Sequence, residues 1–243
     1  WAYMWSLSRI YVRRIRNNSA IGFHDRNSFN MFYESCQANL GSGVAGDFGT
    51  GFKTSSVTGN VTQITYVDCL AQYNQTGYKV YIPSGGASDG ISYLLCAGNN
   101  VTTIDLEGYA YNISIEECHI EGSTTGIKGV ANVQQLIIKN NYFWNNDTCI
   151  DLNAVQNVEI ELNKMNASSG TRVGYSLVNC TGVKYGLNNI NSTYYTSNVS
   201  TGTQLYYSWK NEQENSLTGN ASTPALNKNR DNYVFNNTSN TSI

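Results

Sequence analysis

The sequence predicts an all-β protein wound as a right-handed parallel β-helix, a solenoid of about eight coils. Three observations carry this expectation. The first is a repeated hexapeptide. Met31 to Cys36 (MFYESC), Ile64 to Cys69 (ITYVDC), Ile91 to Cys96 (ISYLLC), Ile113 to Cys118 (ISIEEC), Leu136 to Asn141 (LIIKNN), Val158 to Asn163 (VEIELN) and Val183 to Asn188 (VKYGLN) each alternate apolar with other residues, then end in Cys or Asn. Their end positions are separated by 33, 27, 22, 23, 22 and 25 residues. The second is a further strand signal at a near-constant offset, opened by Tyr78, Ile104, Ile127 and Ile150 (YKVYI, IDL, IKGV, IDL). The third is an apolar series two residues beyond each end position: Ala71, Gly98, Ile120, Phe143, Met165 and Ile190. Three short strands per period, stacked ~4.8 Å apart, make one coil, and the crossover rule sets its hand. A β-sandwich also has short strands at regular spacing, but nothing in it keeps one residue type at the same point of every repeat.

Each element then finds its place. Cys36, Cys69, Cys96, Cys118, Asn141, Asn163 and Asn188 are expected to stack along the axis, the amides bonding coil to coil and the thiols filling small spaces. Cys96 and Cys118 would lie within disulfide reach, yet free thiols are expected throughout, including Cys149 and Cys180. With no CxxC pair, and only His24 and His119 to join the cysteines, a zinc site is not expected. Ile10 and Val12 match Met31 and Tyr33 at a shift of 21 and so read as the first coil. Residues 1–30 are taken as an N-terminal cap and first coil, 31–193 as the β-helix, and 194–243 as a C-terminal cap or a connection to a further domain. In that last stretch, containing Tyr206, Tyr207 and Trp209, the period fades from about Tyr194. Gly41 to Gly51 and Pro83 to Gly90 read as excursions of the kind that often carry function in solenoids.

Composition narrows the function. With 13% charged residues, 22 Gly, 2 Pro and a net charge of -2, the chain is neither disordered nor collagenous. No apolar run approaches the ~18 residues of a spanning helix, so membrane insertion is not expected. Binding to duplex nucleic acid is not expected either, since its affinity comes mainly from Lys and Arg on phosphates, and the one basic cluster is Arg9, Arg13, Arg14 and Arg16. No cofactor motif is present. The sequence opens on Trp1 with no leader pattern after it and reads as a processed or excised piece.

The outward columns separate structural from functional charge. Glu116, Lys139 and Glu161 alternate in sign, as do Lys79, Asp105, Lys128 and Asp151, which marks them as salt-bridge ladders and makes Asp105 and Asp151 poor catalytic candidates. The strand after the end position differs, because consecutive coils place His119, Glu121, Tyr142, Trp144 and Lys164 on one patch with Asp147 just beyond. Aromatic rings stack on apolar sugar faces while carboxylates and amides bond hydroxyls, so His119, Tyr142, Trp144 and Lys164 are candidate carbohydrate-binding residues. Glu121, read as lacking a countercharge, is a candidate catalytic residue with Asp147 or Glu117, as acid and base in glycoside hydrolysis. Lys164 and His119 suit a uronate or sialate carboxylate. The competing reading puts Tyr142 and Trp144 against a second subunit or a loop. Sequons at Asn60, Asn74, Asn100, Asn112, Asn146, Asn166, Asn179, Asn191, Asn198 and Asn220 are a weak glycosylation signal in a chain this rich in Asn and Thr; some, Asn60 for instance, fall where a coil needs Asn at a tight turn.

The stretch Asn112 to Met165 (NISIEECHIEGSTTGIKGVANVQQLIIKNNYFWNNDTCIDLNAVQNVEIELNKM) resembles the coils of the pectate-lyase-like superfamily, above all bacteriophage tailspikes and tail fibres. As a repeat pattern the resemblance runs from about Ile10 to Asn191. It implies a homotrimer in the virion tail that binds, and often cleaves, a bacterial surface polysaccharide. The chain carries neither the calcium-binding aspartate cluster with following arginine of pectate lyases nor the Asp-rich signature of polygalacturonases. A secreted monomeric polysaccharide hydrolase or lyase, and a non-catalytic shaft or adhesin segment, are the alternative expectations.

Overall fold

The computed structural model describes residues 3–13, 17–41, 49–57, 59–191, 195–199, 203–207 and 233–236. All its regular elements are strands, gathered into three sheets whose neighbours in space are three strands apart in sequence. Sheet A has ten strands and sheets B and C eight each. Every pairing is parallel except that of Gln204–Tyr207 with Tyr233–Asn236. The result is a parallel β-solenoid of about 7 turns, one fewer than the repeat count suggests.

The expected register holds through the middle of the chain. Ile64, Ile91, Ile113, Leu136, Val158 and Val183 lie opposite one another in sheet A, and Tyr78, Ile104, Ile127 and Ile150 in sheet C. These positions point inward and are buried. Early coils fill the interior with rings: Phe23, Phe52 and Tyr78 stack at 4.6 and 5.0 Å, and Tyr33, Tyr66 and Tyr93 at 4.9 and 5.1 Å. The middle coils use Ile104, Ile127 and Ile150 against Ile115, Ile138 and Ile160. Both fillings bury their side chains across the same backbone.

Among the described residues, each corner from sheet A to sheet B is a single left-handed residue. Arg9, Ser35, Asp68, Leu95, Glu117, Asn140, Leu162 and Leu187 all have φ between 51° and 59°. From Ser35 on, the buried residue that follows donates back to a carbonyl of the preceding coil. Thiols do this in the early coils: Cys36 Sγ to Leu7 O at 3.3 Å, Cys69 to Tyr33 O at 3.6 Å, Cys96 to Tyr66 O at 3.4 Å and Cys118 to Tyr93 O at 3.6 Å. The amides of Asn141, Asn163 and Asn188 reach Ile115, Ile138 and Ile160 O at 2.9 Å. The cysteines are therefore donors as well as fillers, and all six are free and buried.

Four expectations need correction. Trp5 and Leu7, not Ile10 and Val12, pair with Met31 and Tyr33; Ile10 takes the place of Cys36, its carbonyl accepting from Gln37 N at 2.8 Å. Pro83 to Gly90 is no excursion. Gly86 N bonds Pro83 O at 3.1 Å in a tight turn, and the remaining residues lengthen a sheet A strand to Gly86–Leu94. Of the other predicted loop, residues 42–48 lie outside the described residues. Beyond Tyr194, Tyr195–Val199 and Gln204–Tyr207 still pair parallel with Arg172–Val178 and Thr181–Gly186; the repeat is hidden because the hexapeptide LYYSWK ends in Lys. The side chains of Tyr206 and Tyr207, and all of Trp209, lie outside the described residues.

The fourth correction concerns the sequons. Asn60 stands exposed within the strand Gly59–Val67 and makes no tight turn. Asn74, Asn100 and Asn146 are the structural ones, each 0% exposed at the corner from sheet B to sheet C. Their amides donate to Ala38, Ala71 and Ile120 O at 3.2, 2.9 and 2.8 Å. Asn74 Nδ2 also donates to Asn100 Oδ1 at 3.0 Å. Glycosylation there would require opening the corner, because the amide nitrogen is both buried and bonded.

Candidate functional site

Sheet B is built from strands only two or three residues long, so each coil turns one central side chain inward and sets two outward. Ile120, Phe143 and Met165 are the inward ones and are fully buried. Their neighbours form two outward columns: His119, Tyr142 and Lys164 in register, and Glu121, Trp144 and Asn166 beside them. The five residues singled out from the sequence are thus on one face, in the predicted arrangement.

The geometry is that of a polar-edged aromatic ledge. Tyr142 and Trp144 lie with ring centroids 6.2 Å apart and planes inclined by 27°. His119 packs against Tyr142 at 5.1 Å and 53°. Lys164 Nζ stands 5.6 Å from the Tyr142 ring centre, within cation–π range. Both rings are half-buried.

Two carboxylates differ from expectation. Glu121 has a close polar partner: its Oε2 lies 3.3 Å from His119 Nε2. Residues i and i+2 share a strand face, so this pairing was readable from the order His119-Ile120-Glu121. Asp147 is held by Arg172, whose NH1 donates to Oδ1 at 2.8 Å and to Asn145 O at 2.7 Å. Asn145 Oδ1 in turn accepts from Ser168 N at 2.8 Å. Arg172 and Asn145 thereby fix the loop that leaves Trp144, a role the sequence reading did not assign. The signal was faint, because the coil from Met165 to Cys180 is longer than its neighbours and Arg172 falls outside any repeated column. Glu117 occupies the left-handed corner just before the ledge and is exposed.

The ladders are present in part: among the described residues no ion pair joins Glu116 to Lys139 or Lys128 to Asp151. Lys139 Nζ bridges Glu159 at 2.6 Å and Glu161 at 3.7 Å, and Lys184 bonds the same two at 2.7 and 3.1 Å. On sheet C, Lys79 pairs with Asp105 at 3.0 Å.

No family model, curated protein or solved structure matches the chain. The class it belongs to is the one its fold defines: an all-β parallel solenoid with three sheets.

Proposed function

We propose that this solenoid recognises bacterial surface polysaccharide as part of a homotrimeric bacteriophage tailspike or tail fibre, engaging the glycan through the outward face of sheet B. The observation that carries the reading is the Tyr142–Trp144 pair, two near-parallel half-buried rings flanked by Lys164 on one side and the His119–Glu121 pair on the other. Stacking surfaces beside hydrogen-bonding groups of both signs suit a sugar ring, and Lys164 suits an acidic one. The geometry supports binding over cleavage. Glu121 is engaged by an imidazole and Asp147 by a guanidinium, whereas glycoside hydrolysis needs one carboxyl group kept protonated opposite a second.

Trp144→Ala should weaken binding of capsule or lipopolysaccharide oligosaccharides by about 1 to 2 kcal/mol, as for loss of one aromatic anchor, with the mass by light scattering unchanged. Dissociation of a trimer into monomers that still bind glycan would instead make the ledge a subunit interface. Glu121→Gln should leave binding within about threefold; release of reducing sugar by the wild type that this variant abolishes would make Glu121 catalytic after all.

A further inference from the structure

Sheet C carries a second feature, independent of the ledge. Lys53, Lys79, Asp105 and Lys128 stand in register on its outward side, one to each coil. Asp105 is unlike a surface carboxylate: it is 5% exposed, and its Oδ1 is buried with no hydrogen-bond partner. Lys79 Nζ lies 3.0 Å from the other oxygen, Oδ2, and 3.1 Å from Oε2 of Glu107. Glu107 stands two residues along the same strand and so shares the face of Asp105. An amine, a buried carboxyl group and a second carboxylate thus meet within hydrogen-bond reach.

An ion pair alone accounts for the contact but not for its setting. A buried pair repays its desolvation only when the remaining oxygens are bonded, and Oδ1 has only Lys128 Nζ, 4.0 Å away. On the other side of Lys79 stands a like charge, Lys53, whose ammonium lies over the Tyr81 ring at 5.8 Å. Burial raises the Asp105 pKa against the pull of Lys79, which favours the carboxylic acid. For Lys79 burial favours the amine, but the two carboxylates outweigh it and hold the group charged. One proton transfer across the 3.0 Å contact turns the pair into amine beside acid. That neutral form is the minor one, so a reaction through it is slow.

We propose that Lys79 and Asp105 condense into an intramolecular isopeptide bond that staples two successive coils of sheet C. The Lys79 ammonium passes one proton to the Asp105 carboxylate. The resulting amine attacks Cγ, forming the Nζ–Cγ bond while the carbonyl electron pair moves to Oδ1, on the side that Lys128 faces. Glu107 takes the second proton from the nitrogen and delivers it to Oδ2. The Cγ–Oδ2 bond then breaks as the carbonyl re-forms, and Oδ2 leaves as water. Charge and protons balance, and no oxidant or reductant is needed. Paired strands hold the reacting groups together, which makes the step unimolecular, and the product removes both charges from the buried site. Until it forms, the contact remains an ion pair of modest worth; once formed, it ties residues 26 apart in the chain.

The test is intact-mass spectrometry of the full chain, unfolded in urea after prolonged incubation of the folded protein at neutral pH. The wild type is expected to be lighter than its sequence by one water, and a combined tryptic and chymotryptic digest to yield a branched peptide joining Lys79 to Asp105. Lys79→Arg and Asp105→Ala should each restore the full mass. Glu107→Gln removes the proton carrier while leaving amine and carboxyl group in place, and should slow the loss by about a hundredfold or more, the usual share of a general base. A merely structural Glu107 would leave that rate unchanged, which would strike it from the mechanism. Full sequence mass in folded wild type overturns the proposal, whatever the variants do. A water lost as a succinimide at Asp89–Gly90, the one Asp–Gly step in the sequence, gives the same mass without a branched peptide and overturns it equally.

Discussion

From Cys36 to Cys118 each coil turns its corner on a buried thiol, and from Asn141 to Asn188 it turns on a carboxamide, while the left-handed residue before them keeps the same φ throughout. Both side chains are small and both return one donor to a carbonyl of the coil before. The difference lies in what else they do. Asn163 Nδ2 donates to Asn188 Oδ1 at 3.0 Å as well as to Ile138 O, and its own Oδ1 accepts from Asn141 N at 3.1 Å and Asn141 Nδ2 at 3.0 Å. A thiol cannot bridge in this way; burial holds the Cys96 thiol well above its ordinary pKa, so it remains a weak donor. One backbone shape is thus met by an isolated bond in the early coils and by a continuous chain in the later ones.

The largest effect expected from this contrast is on the amide side. Asn163→Leu leaves Ile138 O and Asn141 N without the partners they now have, and unpaired buried groups cost about 1–3 kcal/mol each, so a loss of about 3 to 5 kcal/mol is expected. Cys96→Ala removes one weak bond and a small volume and should cost about 1 kcal/mol. Urea unfolding of the two variants decides the matter. Equal losses would mean that the ladder adds nothing over a thiol.

The two regions also answer acid in opposite ways. The aromatic coils bury Asp25, 3% exposed, where Tyr33 OH donates to Oδ1 at 2.7 Å and Tyr66 OH to Oδ2 at 3.1 Å. Burial raises its pKa to about 6 despite those bonds, which pull the other way. Because the folded value exceeds the unfolded one, the fold binds the proton more tightly. Stability is then greatest below about pH 4 and falls as pH rises through 6, by up to about 3 kcal/mol. In the later coils partial burial would raise the Glu159 carboxyl, but hydrogen bonds from Lys139 and Lys184 outweigh it and hold the group at about 2. Its contribution is present above the ordinary carboxylate range and lost as pH falls toward 2. Asp25→Asn should therefore raise the thermal midpoint at pH 8 and flatten its dependence between pH 4 and 6. A variant as pH-dependent as wild type in that window would remove Asp25 from the account.

These contrasts show which parts of the structure the sequence displays. The end column was legible because Cys or Asn recurs at one point of seven hexapeptides, and the ledge because it lies at a short fixed distance beyond that point. The second amide column, Asn74, Asn100 and Asn146, was visible only as sequons. Ser123 interrupts it, receiving a bond from Asn100 N at 3.3 Å and donating its own N to Asn146 Oδ1 at 2.9 Å, so no single residue type marks every coil. Asp25 gave no signal, since its partners Tyr33 and Tyr66 lie on a different sheet, and only the closed coil brings them together.

The smallest effect tests a single column of sheet C at two heights. Asp105, Lys128 and Asp151 stand in register, and the alternating signs suggested that Lys128 serves Asp151. The structure instead turns Lys128 toward Asp105, at 4.0 Å, and no ion pair joins it to Asp151 among the described residues. Asp105 is the more committed of the two. It is 5% exposed, its Oδ2 takes Lys79 Nζ at 3.0 Å, and burial raises its pKa against the pull of that lysine. Asp105→Asn trades a paired charge for a neutral amide beside a lysine that keeps Glu107 at 3.1 Å, and should change stability by about 1 kcal/mol. Asp151→Asn removes a half-buried carboxylate that makes no ion pair among the described residues and should stay within about 0.5 kcal/mol of wild type, as surface substitutions usually do. Glycan binding should survive both, since neither lies on the ledge. A large loss of binding in folded Asp151→Asn would place the site on sheet C and sink the assignment of the ledge.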